Sequence, residues 1–245
     1  MKNLASLILV GALSSMLLTG CATEPEPVAE PTTSTPAETS TEATTPETTP
    51  EAKPEEKPVE DNTPLAEKPA DGDEVAVLET GKGKIIVMFY PQVAPKHVEN
   101  FKMLVKKGFY DGTRFHRCIP GFMVQGGDPN SKNLDQSATW GTGGHIVDGA
   151  EVNVPAEFGS RLLHKRGVLS MARSGDPNSA SSQFFLMHQD SAQLDGEYSA
   201  FGKIVSGQEV VDAIVQTGDP AANGAVEPKA AILLKKATLA KWPVK

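Results

Sequence analysis

The sequence predicts a mainly β fold, a barrel or sandwich of antiparallel strands capped by two α-helices. Three observations predict it. Only two stretches of the 245 residues repeat apolar positions at helical spacing. Between and around them the segments are short, rich in β-branched and aromatic residues, and broken by Gly and Pro, a composition that suits strands and turns. The folded part also opens on a hairpin pattern. Few helices among many short strands is the signature of a barrel or sandwich with capping helices. No internal repeat is visible.

The elements follow in order. Val75-Ala76-Val77-Leu78, Gly81-Lys82-Gly83 and then Lys84 to Tyr90 read as two strands around a tight turn, with glycines where such a turn needs positive φ. Gly81-Lys82-Gly83-Lys84 is no phosphate loop, because its spacing is wrong and no helix follows. Pro95 suits a first helical turn. Val98, Phe101, Leu104 and Val105 then share one face, and Lys106, Lys107 and Gly108 favour the helix end. A second helix near Gln208 to Gln216 has Val210, Val211, Ile214 and Val215 as its buried stripe, and Ala231 to Leu234 reads as the last strand. Residues 73–245 form one domain of ordinary size.

The chain ahead of that domain differs in kind. In residues 1–20, Lys2 precedes an apolar run from Leu4 to Leu18. The run is shorter than the roughly 20 residues that cross a bilayer as a helix, and its layout is that of a secretory signal. Leu18-Thr19-Gly20-Cys21 resembles the lipobox of bacterial lipoproteins. That resemblance implies cleavage before Cys21, lipidation of its sulfur and an extracytoplasmic, membrane-attached protein. It would sit on the periplasmic side of an outer membrane, or on the outer face of the cell membrane in a single-membrane bacterium. Two or more acyl chains on one residue anchor stably.

Residues 21–72 are Pro, Thr, Glu and Ala with almost no large apolar side chains. Such a segment buries too little surface to offset chain entropy and is expected to be a disordered tether. Fifty residues of this kind reach on the order of 40 Å as a coil and about 150 Å in polyproline II. Ala22 to Asp71 holds 13 acidic and 3 basic residues, so the net charge of −8 belongs to the tether and the domain is close to neutral. That argues against a nucleic-acid partner. Cys21 and Cys118 are the two cysteines. With Cys21 acylated no disulfide forms, and Cys118 is expected to be a small buried filler.

Two regions could carry chemistry. The run from Arg114 to Asp128 (Arg-Phe-His-Arg-Cys-Ile-Pro-Gly-Phe-Met-Val-Gln-Gly-Gly-Asp) mixes arginine and glutamine with large apolar residues around a Pro-Gly break. Its partners are Gly167 to Arg173, Ser182 to Leu186, Leu194-Asp195-Gly196 and Phe201-Gly202-Lys203. Neither region holds a carboxylate pair or a serine or cysteine triad. His97, His145, His164 and His188 lack ligand spacing, so no metal and no cofactor is expected. Such a site binds an apolar group and places a few hydrogen bonds. Strand alternation puts Phe184 opposite Gln183 and Phe185 and so in the core. Phe115 is also expected in the core, with His116 and Cys118 structural.

Phe-His-Arg, Pro-Gly-Phe-Met, Gln-Gly-Gly-Asp and Ser-Gln-Phe-Phe occur together and in order. In these motifs the domain resembles the cyclophilins, from about Val75 to the last strand. The resemblance implies a closed eight-stranded antiparallel β-barrel capped by two α-helices, and peptidyl-prolyl cis-trans isomerase activity without cofactors. By the same resemblance Arg117 is the catalytic arginine and Gln125 the glutamine that supports it. Phe122, Met123 and Phe185, with Leu194 beside them, form the pocket for the substrate proline. Ala172 and Gln183 line the groove for preceding residues. Tyr198 stands where many members have histidine, Gln193 where many eukaryotic members have tryptophan, and Arg173 where asparagine is common. Asp176 looks inserted.

The chemistry agrees with those residue types. Peptide rotation faces about 18–20 kcal/mol, whereas the two Xaa-Pro isomers differ by only about 0.5–1 kcal/mol. Roughly a thousand turnovers per second requires about a 10⁵-fold gain, or about 7 kcal/mol. An apolar pocket fixes the ring, and a guanidinium directed at the prolyl nitrogen favours its single-bond form in the twisted state. The expected partners are proline-containing unfolded or extended polypeptides, exported ones above all, met by a monomer. The competing reading is a proline-segment-binding chaperone or scaffold with little or no catalysis.

Overall fold

The computed structural model describes residues 64–159 and 161–244, all within one unit, Val59–Lys245. The signal segment 1–20, Cys21 and the tether up to residue 63 lie outside the described residues. The strands are β1 Glu74–Thr80, β2 Gly83–Phe89, β3 Arg117–Ile119, β4 Met123–Gly126, β5 Ile146–Val147, β6 Ala150–Glu151, β7 Val168–Met171, β8 Phe184–Met187, β9 Ala200–Ser206, β10 Gly218–Asp219, β11 Ala225–Val226 and β12 Leu234–Lys241. Helices α1 Pro95–Lys106 and α2 Gln208–Val215 fall where the apolar stripes place them.

The fold is mainly β and antiparallel. Ten strands run in the order β10-β11-β3-β4-β8-β7-β9-β2-β1-β12, and β5 pairs with β6 separately. The expected count of eight omits the short β10–β11 hairpin, whose two-residue strands leave no alternation to read. The chain entering β3 also meets the chain entering β12. The Phe115 N–H donates to the Ile232 carbonyl at 3.1 Å, and the Leu234 N–H to the Thr113 carbonyl at 2.8 Å.

Period-two alternation divides the apolar side chains between two faces. Leu78, Ile85, Val87, Val124, Leu169, Phe184 and Leu186 pack with the stripes of α1 and α2 in the larger core. Val75, Met88, Tyr90, Met123, Val168, Phe185 and Met187 point the other way into a second cluster. The adjacent pair Phe184 and Phe185 therefore serves different faces, as alternation requires.

Two local devices fix the ends of elements. Ala94 gives α1 no side-chain cap. Glu157 instead accepts the Lys96 and His97 N–H groups at 3.1 and 3.0 Å, placing a carboxylate at the positive helix end. In the β1–β2 turn the positive-φ expectation holds for Gly83, at 141°. Gly81 uses its N–H instead, donating to the Leu233 carbonyl at 2.9 Å.

Two expectations need correction. The last strand is not Ala231 to Leu234 but Leu234–Lys241, paired with β1 from Thr80↔Leu234 to Glu74↔Lys241. Exposed Lys235 and Lys236 interrupt its alternation, and Leu234 and Ala237 alone are buried in it, so the period is too weak to read. Residues 64–72, placed in the tether by composition, lie against the domain. Leu65 packs on the second cluster, Pro69 is buried, and the Tyr90 hydroxyl donates to the Ala66 carbonyl at 2.7 Å. Glu67 pairs with Lys203. These few apolar anchors vanish in an average over the segment.

Candidate active site

The second face carries the site. β3 and β4 form a hairpin in which Arg117 pairs with Gln125, and β4 sets Gln125 beside Phe185 on β8. Three sequence-distant side chains thus share one stretch of sheet. The Ile119-Pro120-Gly121-Phe122 turn closes with the Phe122 N–H on the Ile119 carbonyl at 2.9 Å, Gly121 taking a φ of 80°. It brings Phe122 over the same face.

Nine residues are expected at the site, and the structure brings all of them together. Arg117, Phe122, Met123, Gln125, Ala172, Phe185, Leu194 and Tyr198 line one hollow of about 190 Å³. Gln183 lines an adjoining hollow of about 360 Å³ that shares Gln125, Ala172 and Arg173 with the first. The first is walled by buried Met123, Phe185 and Leu194, a wall that suits one compact apolar ring. The second is edged by backbone, hydroxyls and amides together with the charged Glu151 and Arg173, and continues the first as a groove.

A polar chain borders the hollow. Arg117 Nη1 donates to Gln125 Oε1 at 3.5 Å, Gln125 Nε2 to Gln183 Oε1 at 2.9 Å, and Gln183 Nε2 to the Gly143 carbonyl at 2.8 Å. Each amide is oriented by the next, so the guanidinium is tied to a loop on the far side of the groove. Burial lowers the Arg117 pKa, with Tyr198 opposing. A guanidinium nonetheless keeps its charge across the physiological range.

Three residues matter here beyond the expected nine. Arg173, read from sequence only as a departure, lies over the Tyr198 ring at 4.7 Å and pairs with Glu197 at 3.3 Å. It forms a wall of both hollows. Asn223, on the turn between β10 and β11, contacts the Arg117 guanidinium. His164 stacks behind Phe185, ring centroids 6.0 Å apart and planes 19° apart.

His164 belongs to a Ser–His–Asp chain that the sequence did not reveal. Its Nδ1 lies 3.0 Å from Asp195 Oδ1 and its Nε2 3.0 Å from Ser170 Oγ. Ser170 is fully buried, at 0 % exposure. No substrate reaches that hydroxyl, and the chain acts as a prop that fixes Phe185. His116 and Cys118 are buried as expected, and burial raises the Cys118 thiol to about 11. Among the described residues no group of three or more His, Cys, Asp or Glu is placed to hold a metal ion.

Buried titrating groups set a pH profile of stability. Burial lowers the pKa of His116, His145 and His164, outweighing the opposing pull of Asp128 on His116 and of Asp195 on His164. Below about pH 6.5, the ordinary histidine value, the unfolded chain takes up protons that the folded chain refuses. Stability is then lost as pH falls. Cys118 has the opposite sign: its raised value removes stability once the pH passes the ordinary thiol range, where the unfolded thiol ionises and the folded one does not. The urea midpoint is expected to be flat near pH 7–8.5 and to fall on both sides. A midpoint that rose from pH 7 to pH 5.5 would contradict the histidine assignment.

An apolar hollow of a size to take one ring, edged by two arginines and the Gln125 amide, defines a protein suited to binding an extended peptide. Comparison with known proteins agrees. Residues 75–238 match the family model of cyclophilin type peptidyl-prolyl cis-trans isomerase/CLD. A probable peptidyl-prolyl cis-trans isomerase of Brucella abortus (strain 2308) is 45 % identical over 161 residues, 64 % of this chain and 79 % of that protein. A peptidyl-prolyl cis-trans isomerase of Schizosaccharomyces pombe is 43 % identical over 134 residues, 54 % of this chain and 79 % of that one. Among solved structures, a cyclophilin type isomerase of Cryptosporidium parvum, crystallised in the presence of the dipeptide Ala-Pro, aligns with a TM-score of 0.58 at 30 % identity. That alignment covers 68 % of this chain and 99 % of that one. The chain belongs to the cyclophilin-type peptidyl-prolyl cis-trans isomerase family, and its activity is the cis-trans isomerisation of Xaa-Pro bonds.

Proposed function

We propose that Arg117 is the catalytic residue, supported by Gln125, and that Phe122, Met123, Phe185 and Leu194 hold the proline ring while Ala172, Gln183 and Tyr198 contact the flanking chain. The observation that carries this is one hollow with an apolar wall and two arginines at its edge, of which Arg117 is bonded to the Gln125 amide while Arg173 is engaged with Glu197 and the Tyr198 ring. The ring, once seated, cannot follow the rest of the peptide. Rotation is therefore forced into the Xaa-Pro bond. As that bond twists, the prolyl nitrogen's lone pair, shared with the carbonyl in the planar states, becomes localised on nitrogen, and a guanidinium N–H aimed at it stabilises the twisted state more than either planar one. No proton is transferred and no covalent bond breaks. A short-peptide isomerisation assay of wild type against Arg117→Ala tests the assignment, and equal rates would remove Arg117 from the reaction.

The same reading takes the sheet as a closed eight-stranded barrel, β3-β4-β8-β7-β9-β2-β1-β12. The bonds between the chains entering β3 and β12 support it. It takes the protein to be a monomer that assists folding of exported proteins. Lipid on Cys21 would anchor it to the extracytoplasmic side of a bacterial membrane, with the acidic tether as spacer. Support for the anchor is the Leu18-Thr19-Gly20-Cys21 motif behind an apolar segment. Labelled fatty acid is expected to enter the full chain and to be lost in Cys21→Ser. Label that persisted in that variant would overturn the anchor.

A further inference from the structure

We infer that Asn223 is a positioning residue for Arg117, fixing the plane of its guanidinium so that the unbonded N–H groups face the hollow. The inference rests on the assignment of Arg117 as the catalytic residue.

The guanidinium has five N–H donors in a rigid plane. Asn223 takes two of them on different nitrogens: its carbonyl accepts from Nε at 3.2 Å, and its Oδ1 accepts from Nη2 at 3.0 Å. Gln125 accepts a third, from Nη1. Anchors on Nε, Nη2 and Nη1 leave the group no free rotation in its plane or about its stem. They also leave one N–H on each terminal nitrogen to meet a substrate. A long flexible side chain becomes a fixed pair of donors, the preorganisation that electrostatic stabilisation requires.

The turn is shaped for this contact. Presenting carbonyl and side chain to the same neighbour needs an unusual backbone, and Asn223 has φ 53° and ψ 36°. It is one of two non-glycine residues with positive φ among the described residues. Asn tolerates that region because its short amide bonds locally. The hairpin that carries it is seated directly on β3. Ala225 pairs with Arg117 itself, and the Cys118 N–H donates to the Gly224 carbonyl at 2.8 Å. A Cβ on Gly218 would stand 1.7 Å from the Cys118 carbonyl oxygen, and one on Gly224 2.4 Å from Ile119. Glycines at those two places allow the close approach. Asp219 braces the turn from within, accepting the Ala221 N–H on its carboxylate and the Gly224 N–H on its carbonyl. Asn223 is itself exposed, so it adds little to the core, and the partner of its side-chain oxygen is Arg117.

Asn223→Gly separates the side-chain contact from the backbone. Glycine accepts the same φ and keeps the carbonyl on Nε, so only the Oδ1 acceptor is lost. The experiment measures kcat and KM on a short Xaa-Pro peptide for wild type, Asn223→Gly, Arg117→Ala and the double variant, with a thermal melt of each. In the otherwise wild-type chain, kcat is expected to fall about tenfold, equivalent to ~1.4 kcal/mol, with KM within about twofold and the melting midpoint unchanged. In the Arg117→Ala background the same substitution is expected to change the residual rate by less than about twofold, because its target is gone. An unchanged kcat in Asn223→Gly, or an equal loss in both backgrounds, would overturn the inference while leaving Arg117 in place. An Arg117→Ala variant as active as wild type would overturn the assignment of Arg117 first.

Discussion

Arg117→Ala is expected to lower kcat/KM for a short Xaa-Pro peptide by about 10²–10³-fold, the range for removing one preorganised donor from a developing charge. Most of the loss should fall on kcat. In the proposed assignment the ring is held by Phe122, Met123, Phe185 and Leu194, which line the hollow and which the substitution leaves alone, so ground-state binding should change little and KM should stay within a few-fold. The fold should survive, because Arg117 is only partly buried and its partners are amides and a turn at the groove edge. Steady-state kinetics beside a melting curve check all three points. A loss confined to KM would make Arg117 a binding residue and put the stabilisation of the twisted bond on another group.

Arg117→Lys refines the result. Lysine keeps the charge but has a single nitrogen, which cannot reach Asn223, Gln125 and the substrate together. A large loss in that variant would show that the planar fork matters and not the charge alone.

The same geometry explains what could be read in the chain. Helices α1 and α2 were legible because each buries one face and so writes its period into the sequence, and the β1–β2 hairpin because two β-branched runs, buried on both faces in β1, flank a glycine turn. That the nine proposed site residues would lie together could be read from the resemblance, since most of them fall in short contiguous motifs that the sheet sets side by side, as in the pairs Arg117–Gln125 and Gln125–Phe185. Strand β12 was not, since pairing with β1 holds it and most of its side chains stay outside the core. Asn223 was not, for a different reason. It lies 106 residues from its partner, and an Asn-Gly dipeptide states a turn without stating what the turn faces. His164 illustrates the same limit. Its neighbours Ser170 and Asp195 meet it only when β7 and the 192–194 turn are folded. Local periodicity records burial, whereas contacts between turns and distant strands leave no local trace.

Phe184→Ala carries the largest expected effect on stability. The side chain is fully buried, and its ring meets Phe101 and Tyr110 at 5.3 Å and Phe115 at 6.4 Å, all edge-on. It joins α1 to β8 and to the strand approach at Phe115, so the cavity left by truncation has walls from three elements and cannot collapse easily. Loss of a buried phenylalanine costs about 3–5 kcal/mol, against a whole-domain stability of about 5–15 kcal/mol. The melting midpoint should drop by roughly 6–20 °C for a domain of this size. Phe185→Ala, one residue on, should reverse the emphasis. That ring faces the hollow and stacks on His164, so its loss should raise KM well before it lowers the midpoint by a comparable amount. Thermal melts and kinetics of the two variants side by side check the alternation itself. If both residues proved equally costly to stability and equally harmless to KM, the second face would be core and the hollow would not be where the proline sits.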